Sequence, residues 1–279
     1  MADIEVTVED GVLVATLNRP ERMNSLSPAL TTGLLDAVDR ASRDDDVRVM
    51  VLTGNGRAFC AGAEVSGDAM PAGGNASEGG SANGGGAAAA RSRSDRMHPE
   101  AAGSIGAVRA FANCDVPIIG AINGVAAGAG FGIALCCDVR IFAESARIGS
   151  IFIKRGVAAD YGASYWLPRI VGYSRALDIF YDGEVMDAQR ALELGLANRV
   201  VPDEQLMDEA MTYARRIAAG PPMGYTAIRR LVIESVDAIG RDVFAEREWT
   251  AQTALLRTAD AAEGFKSFIE RREPQFSGQ

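Results

Sequence analysis

Histidine is almost absent from this sequence, and cysteine is scarce. The 279 residues include one histidine, His98, and four cysteines, none of which belongs to a CxxC pair. Zinc sites draw on clusters of these two residue types, so their scarcity argues against a metal site. A histidine-dependent hydrolase would have only His98 to use, and no GxSxG motif is present. Buried, reduced thiols of a cytoplasmic protein are expected at Cys60, Cys114, Cys136 and Cys137.

Positive charge is also in short supply. Lysine and arginine total 28 against 37 aspartate and glutamate residues, a net charge of −9, and they form no basic stripe, which argues against a nucleic-acid binder. No apolar run approaches the roughly 18 residues of a membrane span, and the acidic, alternating N-terminus is unlike a signal peptide. We expect a cytoplasmic protein with no membrane span and no nucleic-acid partner. Hydrophobic residues make up 48% of the chain, which is enough for a sizeable core.

Apolar periodicity predicts alternating strands and helices in the first 200 residues. A helix after Pro28 precedes a buried strand over 47–52, an order typical of an α/β sheet. Residues 66–95 are rich in glycine, alanine and serine and have almost no large apolar side chain, which predicts an inserted, extended loop. We therefore divide the chain into a core over 1–200, which contains this insert, and an almost purely helical region over 201–279.

One stretch, residues 116–140, has the sequence VPIIGAINGVAAGAGFGIALCCDVR. A buried strand is predicted over 116–122, and after a run of glycine and alanine a helix is predicted to begin near Gly128. Small side chains let a backbone approach another group closely, and the first amides of a helix are free donors that can hold an oxyanion. A second small-residue turn, 53–64, follows the strand over 47–52. Together the two turns predict one site with two backbone donors.

The glycine pattern does not fit the nucleotide-binding motifs. The dinucleotide fingerprint GxGxxG requires its third glycine three residues after the second. Here Gly132 follows Gly130 by only two residues, so the fingerprint is not matched. No Gly-Lys-Ser/Thr triplet is present, so the P-loop is excluded as well.

Several motifs taken together resemble the enoyl-CoA hydratase/isomerase, or crotonase, family. They are AFCAGAEV (58–65), AINGVAAGAGFGIALCCDVRI (121–141), ARIGS (146–150), GVAADYGASYWLPRIVG (156–172), DAQRALELGLANRVVP (187–202) and AAEGFKSFIERREPQF (261–276). The resemblance covers nearly the whole chain except the insert. It implies an α/β fold of the crotonase type, a spiral of ββα units that forms two nearly perpendicular sheets, followed by a helical trimerisation region. It also implies assembly as a homotrimer or as a hexamer of paired trimers.

The resemblance also implies a ligand and the residues that hold it. The family binds an acyl-CoA thioester and stabilises its enolate oxygen with two backbone amides, which fall at Ala63 and Ala129 in this sequence. No cofactor is implied beyond the CoA part of the substrate. The residues implied to hold CoA are Met23, Asn24, Ser25, Leu26, Arg57 and Ala58, with Phe268 and Arg271 reaching the CoA site of an adjacent subunit.

Two glutamates of the family's hydratases have no counterpart in this sequence. The one that acts on water matches Gly132, the one that supplies the α-carbon proton matches Phe152, and neither residue can transfer a proton. Asp160 remains, at the position of the catalytic aspartate of the dienoyl-CoA isomerases and of the ring-epoxide isomerase group. Because the small apolar residues 157–159 precede it, we expect partial desolvation to raise its pKa toward that of a useful base.

We therefore expect an enzyme that isomerises an enoyl-CoA, with Asp160 moving a proton from one carbon to another. A second interpretation of Asp160 is that it only caps a helix. Glu64, beside the first amide, is expected to be structural. The alternative functions are an enoyl-CoA hydratase with a non-standard acid/base and a non-catalytic acyl-CoA-binding protein.

Overall fold

The structure is a computed structural model that describes residues 2–64, 103–235, 249–250 and 252–279. The predicted insert over 66–95 and His98 lie outside the described residues. The strands are, in chain order, β1 (Ile4–Glu9), β2 (Val12–Leu17), β3 (Val49–Gly54), β4 (Ala58–Cys60), β5 (Ile118–Ile122), β6 (Val125–Ala127), β7 (Val139–Ala143), β8 (Arg147–Gly149), β9 (Val185–Asp187) and β10 (Arg199–Val201). The helices are α1 (Pro28–Arg43), α2 (Gly103–Asn113), α3 (Ala129–Cys136), α4 (Ala163–Val171), α5 (Tyr173–Asp182), α6 (Ala188–Glu193), α7 (Leu206–Ala218), α8 (Pro222–Ser235) and α9 (Ala259–Glu270).

The chain winds back and forth between two sheets. The larger sheet has the strand order β1-β2-β3-β5-β7-β10, and the smaller sheet has the order β4-β6-β8-β9. The described pairings are parallel except those of β1 with β2 and of β8 with β9. Each of the consecutive pairs β3–β4, β5–β6 and β7–β8 gives one strand to each sheet, and helices follow β6 and β8. This repeated step is the spiral of ββα units expected from the sequence.

Local sequence signals explain where the first elements begin and turn. Asp10 and Gly11 take left-handed backbone angles (φ 51° and 75°) between β1 and β2, the conformation that a two-residue hairpin turn requires. Helix α1 begins at Pro28, and the Ser27 hydroxyl accepts a hydrogen bond from the Leu30 amide at 3.0 Å. This cap satisfies one of the free amides of the first turn.

Helix α3 lies at the centre of the core. Its sequence, AGFGIALC, has no polar face, and all eight residues are buried. A helix that is apolar on every side must be surrounded by other elements. Strands β3 and β5 are likewise buried along almost their whole length, as expected for strands covered on both faces.

A buried arginine on α8 holds the C-terminal end of α2. Arg229 is 7% exposed, and its Nε donates to the Asp138 carboxylate at 2.8 Å. Its two terminal nitrogens donate at 2.6 Å to the carbonyl oxygens of Phe111 and Cys114. These bonds satisfy carbonyls that the helix end leaves without intrahelical partners. Helix α2 is thereby fixed against the core.

The structure departs from the expected elements mainly in the smaller sheet. Residues 53–64 were expected to form a turn, yet they contain strand β4. Strands β4, β6, β8 and β9 have three residues each, which is too short for an alternating pattern to be recognised. After β10 the described residues are helices and loops. No described helix has the length and hydropathy to cross a bilayer, and the described side chains include no cluster of three or more His, Cys, Asp or Glu able to hold a metal ion.

Candidate active site

The two small-residue turns of the sequence lie directly against each other. A Cβ added to Gly130 would lie 1.9 Å from the Cys60 carbonyl oxygen, and a Cβ added to Gly62 would lie 3.5 Å from the Ala129 nitrogen. Only glycine at position 130 therefore allows α3 to approach β4 this closely. We call residues 53–64 and 123–130 together the double turn. The predicted close approach is confirmed, and the group approached is the backbone of the other turn.

Both predicted donor amides, those of Ala63 and Ala129, belong to the double turn. Ala63 forms an isolated parallel bridge with Leu26, in which the Leu26 amide donates to the Gly62 carbonyl at 2.8 Å and the Glu64 amide donates to the Leu26 carbonyl at 3.2 Å. Because amides alternate in direction along such a segment, the Ala63 N–H points away from Leu26. Ala129 is the first residue of α3, so its N–H has no intrahelical acceptor. Among the described backbone hydrogen bonds of turns and loops, none has the amide of Ala63 or of Ala129 as its donor.

Two asparagines tie the double turn together, a role that the sequence indicated for neither, since Asn24 was implied only to hold CoA. Asn24 is fully buried, and its Nδ2 donates to the carbonyl oxygens of Asn55 at 2.9 Å and of Ala58 at 2.7 Å. Asn123 donates to the same Ala58 oxygen at 3.2 Å and accepts from the Gly54 amide at 3.1 Å. Asn123 lies within the motif over 121–141, and nothing else in the sequence indicated a function for it.

The implied CoA stretch 23–26 runs alongside the double turn. Met23 and Asn24 have left-handed backbone angles (φ 52° and 53°), and the Met23 carbonyl accepts from the Ala61 amide at 3.0 Å. Non-glycine residues in this conformation are uncommon and concentrate at functional sites. The structure thus brings residues 23–26, Arg57 and Ala58 together as one group. Arg57 is exposed and Ala58 is buried.

Glu64 has the structural role expected of it. Its carboxylate pairs with Arg19 at 3.0 Å, and Arg19 also donates to the Ser25 carbonyl at 2.8 Å. The hydrogen bond from Arg19 lowers the pKa of Glu64. Arg19 was not singled out in the sequence, because an isolated arginine carries no pattern.

Asp160 lies in a turn that rests on the first part of α3. We call residues 160–162 the Asp160 turn. A Cβ added to Gly132 would lie 2.7 Å from Cβ and from the carbonyl oxygen of Tyr161, and 2.9 Å from the Asp160 carbonyl oxygen. The lack of a side chain at position 132 therefore makes room for this turn. Gly132 follows Ala129 by three residues, about 5 Å along the helix axis.

The capping interpretation of Asp160 is wrong. Helix α4 begins at Ala163, its N-cap is Gly162, and no side chain caps it. Although the Asp160 side chain is exposed in the single chain, the protein around it removes part of its water, and this desolvation raises the pKa of its carboxyl group. The direction agrees with the expectation from the sequence.

The other residues singled out in the sequence are either buried in the core or lie near the C-terminus. Phe152 is 7% exposed and supplies no titratable group. The four cysteines are free and buried, and burial raises the pKa of Cys60 and of Cys136 to about 12, which makes them poor nucleophiles. Arg271 is exposed just after α9, and within the described chain no hydrogen bond joins it to residues 23–26. Phe268 lies in α9, and its side chain is outside the described residues.

Comparison with known proteins identifies the fold and the family. A family profile described as enoyl-CoA hydratase/isomerase matches residues 7–87 and 100–279. The chain belongs to the enoyl-CoA hydratase/isomerase family. A solved enoyl-CoA hydratase from Bacillus anthracis superimposes with a TM-score of 0.83 at 29% identity, covering 99% of this chain and 100% of the other. An enoyl-CoA hydratase subunit from Geobacillus kaustophilus HTA426 has a TM-score of 0.83 at 30% identity, covering 99% and 98%. The crotonase fold expected from the sequence is confirmed.

Relatives in the family carry names of different reactions. The 1,2-epoxyphenylacetyl-CoA isomerase of Escherichia coli K12 is 36% identical over 272 residues, which cover 98% of this chain and 97% of the relative. The (E)-benzylidenesuccinyl-CoA hydratase of Thauera aromatica is 33% identical over 280 residues, which cover 99% of each chain. Both names describe reactions of acyl-CoA thioesters, so family membership leaves the choice of reaction to the side chains of the site.

Proposed function

We propose that this protein isomerises an unsaturated acyl-CoA by moving its carbon–carbon double bond, with Asp160 carrying the proton. The observation that carries the proposal is the contact of the Asp160 turn with α3 at Gly132, one helical turn from the free amide of Ala129. This contact supports an arrangement in which the Asp160 carboxylate and the Ala129 amide act on the same substrate. The name of the isomerase relative from E. coli supports the same class of reaction.

The proposed reaction begins with removal of a proton by the Asp160 carboxylate. For a 3-enoyl-CoA, Asp160 takes the proton from the α-carbon, and the electron pair spreads through the double bond to the thioester oxygen as a dienolate. The amides of Ala63 and Ala129 hold this oxygen, and each such donor is worth about 3 kcal/mol in other enzymes. The protonated Asp160 then returns the proton to the γ-carbon, which gives the 2-enoyl-CoA with no net change in atoms.

The desolvation of Asp160 suits this use. A carboxylate with a raised pKa is a stronger base, and its acid form still gives the proton back. Neither Gly132 nor Phe152 has a group that could share the task. One carboxylate is sufficient to move a double bond, whereas the family's hydratases use two.

The CoA part of the substrate is assigned to the group formed by residues 23–26 with Arg57 and Ala58. The two left-handed residues of this group, Met23 and Asn24, fix a backbone that can follow a ligand closely. Phe268 and Arg271 are assigned to the CoA site of an adjacent subunit in a homotrimer or hexamer. No cofactor is proposed beyond the CoA part of the substrate.

The test replaces the carboxylate without changing its size. The Asp160→Asn variant is expected to lose at least about 100-fold in kcat on 3-enoyl-CoA, because an amide cannot accept the proton, while CoA binding measured by calorimetry stays unchanged. The matched control is Asp182→Asn, which removes an exposed aspartate at the end of α5. An Asp160→Asn variant as active as this control would overturn the proposal.

The product distinguishes the alternatives. The hydratase named among the relatives favours a second candidate, the addition of water to a 2-enoyl-CoA. Mass spectrometry separates the two reactions, because isomerisation leaves the mass unchanged and hydration adds the mass of one water molecule. A wild-type protein that binds CoA and turns over neither substrate would instead be an acyl-CoA-binding protein.

A further inference from the structure

The residue after Asp160 has a strained backbone. Tyr161 has φ 47°, in the left-handed region, which is unfavourable for a residue with a Cβ. Such a conformation persists only where its surroundings impose it. The contacts of Tyr161 therefore indicate what holds Asp160 in place.

The peptide group between Asp160 and Tyr161 is fixed at both of its polar ends. Its N–H, which belongs to Tyr161, donates to the Ser104 hydroxyl at 2.7 Å. Its carbonyl oxygen, which belongs to Asp160, accepts from the Ala163 amide at 3.0 Å and faces the space beside Gly132. Because a peptide group is planar and includes the preceding Cα, two fixed ends set the position of the Asp160 Cα, to which the carboxylate side chain is attached.

The two ends are held by different parts of the fold. The bond to Ala163 is local, since it closes the turn that leads into α4. The bond to Ser104 joins the turn to the first turn of α2, 57 residues earlier in the chain. A further polar contact of Tyr161 lies farther from Asp160, because Cys136 donates to the Tyr161 carbonyl at 3.6 Å. Ser104 is thus the long-range partner closest to Asp160.

We propose that Ser104 is a positioning residue for Asp160, which holds the acid/base group at the substrate through the Tyr161 amide. The inference rests on the proposed function of Asp160. It gives α2 a role in catalysis that the sequence did not indicate, because Ser104 lies in none of the motifs of the family resemblance. Ser104 itself does not touch the reacting atoms.

The test compares two serines that make the same kind of bond. The Ser104→Ala variant removes the acceptor of the Tyr161 amide, and alanine is well tolerated in a helix, so the variant is expected to fold. The matched control is Ser42→Ala, because the Ser42 hydroxyl accepts from the Asp115 amide at 3.1 Å between α1 and the end of α2. Ser104→Thr keeps a hydroxyl and serves as the rescue variant.

The expected result is specific to positioning. Ser104→Ala lowers kcat by about 10- to 100-fold, the usual effect of a misplaced catalytic group, with KM unchanged, and moves the acid limb of the kcat–pH profile to lower pH as Asp160 gains water. Ser42→Ala leaves both quantities at their wild-type values, and Ser104→Thr restores most of kcat.

Three outcomes would contradict the inference in distinguishable ways. Equal kcat values for Ser104→Ala and Ser42→Ala overturn the role of Ser104 and leave that of Asp160 intact. A lower kcat with an unmoved pH limb and a lowered melting temperature shows a structural role only. Full activity of Asp160→Asn overturns the proposed function, and the role of Ser104 falls with it.

Discussion

The double turn and the Asp160 turn adjoin the same helix, yet they are built in opposite ways. The double turn is fixed by direct contact between backbones, as at Gly130 and Cys60, and by asparagine side chains inside the core. In the Asp160 turn Asp160 is exposed, and the backbone of the turn is held by one hydroxyl, one thiol and its own helix. The proposed donors are therefore part of the core, whereas the proposed acid is an exposed side chain.

This contrast explains how one fold accommodates different reactions. Changing a residue of the double turn disturbs core packing, so we expect the proposed backbone donors to be the part least free to vary. A change of the exposed side chain at position 160 disturbs packing less, so we expect the proton-transferring group to be the part that varies. The isomerase and hydratase names among the relatives agree with this division.

The largest effect is expected from adding one methyl group inside the double turn. In Gly130→Ala the new Cβ would lie 1.9 Å from the Cys60 carbonyl oxygen, a distance that only backbone movement relieves. We expect a loss of about 3 kcal/mol or more in the free energy of unfolding, measured by urea denaturation. Gly264→Ala is the matched control, because it is also a helical glycine and its nearest contact would be at 3.7 Å. Equal stability of the two variants would contradict the proposed tight contact.

A smaller loss is expected from removing the buried amide of Asn24. Asn24→Ala leaves the Asn55 carbonyl without this donor and the Arg19 amide without its acceptor at 2.8 Å, while Asn123 still serves Ala58. We expect the variant to lose about 2–3 kcal/mol of unfolding free energy. Asn113→Ala removes an exposed asparagine at the end of α2 and should change stability by less than about 0.5 kcal/mol. Similar values for both variants would show that the double turn does not depend on Asn24.

The sequence predicted the double turn better than it predicted the Asp160 turn. Runs of glycine and alanine after apolar strands are a local pattern, and the structure confirms the close approach that they predict. The partners of the Asp160 turn come from distant parts of the chain. Ser104 and Gly132 have no local signal of their function, because only folding brings them to Asp160. The three-residue strands of the smaller sheet were missed for a related reason, since their pairing and not their periodicity defines them.

The smallest effect is expected from removing the charge of one of two carboxylates, Glu64 in the double turn or Asp160 in the Asp160 turn. Glu64 has a pKa lowered by Arg19, so its ionised form stabilises the folded state above the ordinary glutamate pKa, and this stability is lost as the pH falls through the lowered pKa. Asp160 has a pKa raised by desolvation, so its ionisation destabilises the folded state as the pH rises above the ordinary aspartate value of 3.8. Near pH 7 the melting temperature should therefore fall in Glu64→Gln and rise in Asp160→Asn, each by a few degrees at most. Both differences should shrink as the pH falls and the carboxyl groups become protonated in the folded chain as well as in the unfolded one. Calorimetric scans at several pH values measure these shifts in melting temperature. If Asp160→Asn instead melted at a lower temperature than the wild type at pH 7, the Asp160 carboxylate would stabilise the folded state, which contradicts the expected cost of its desolvation.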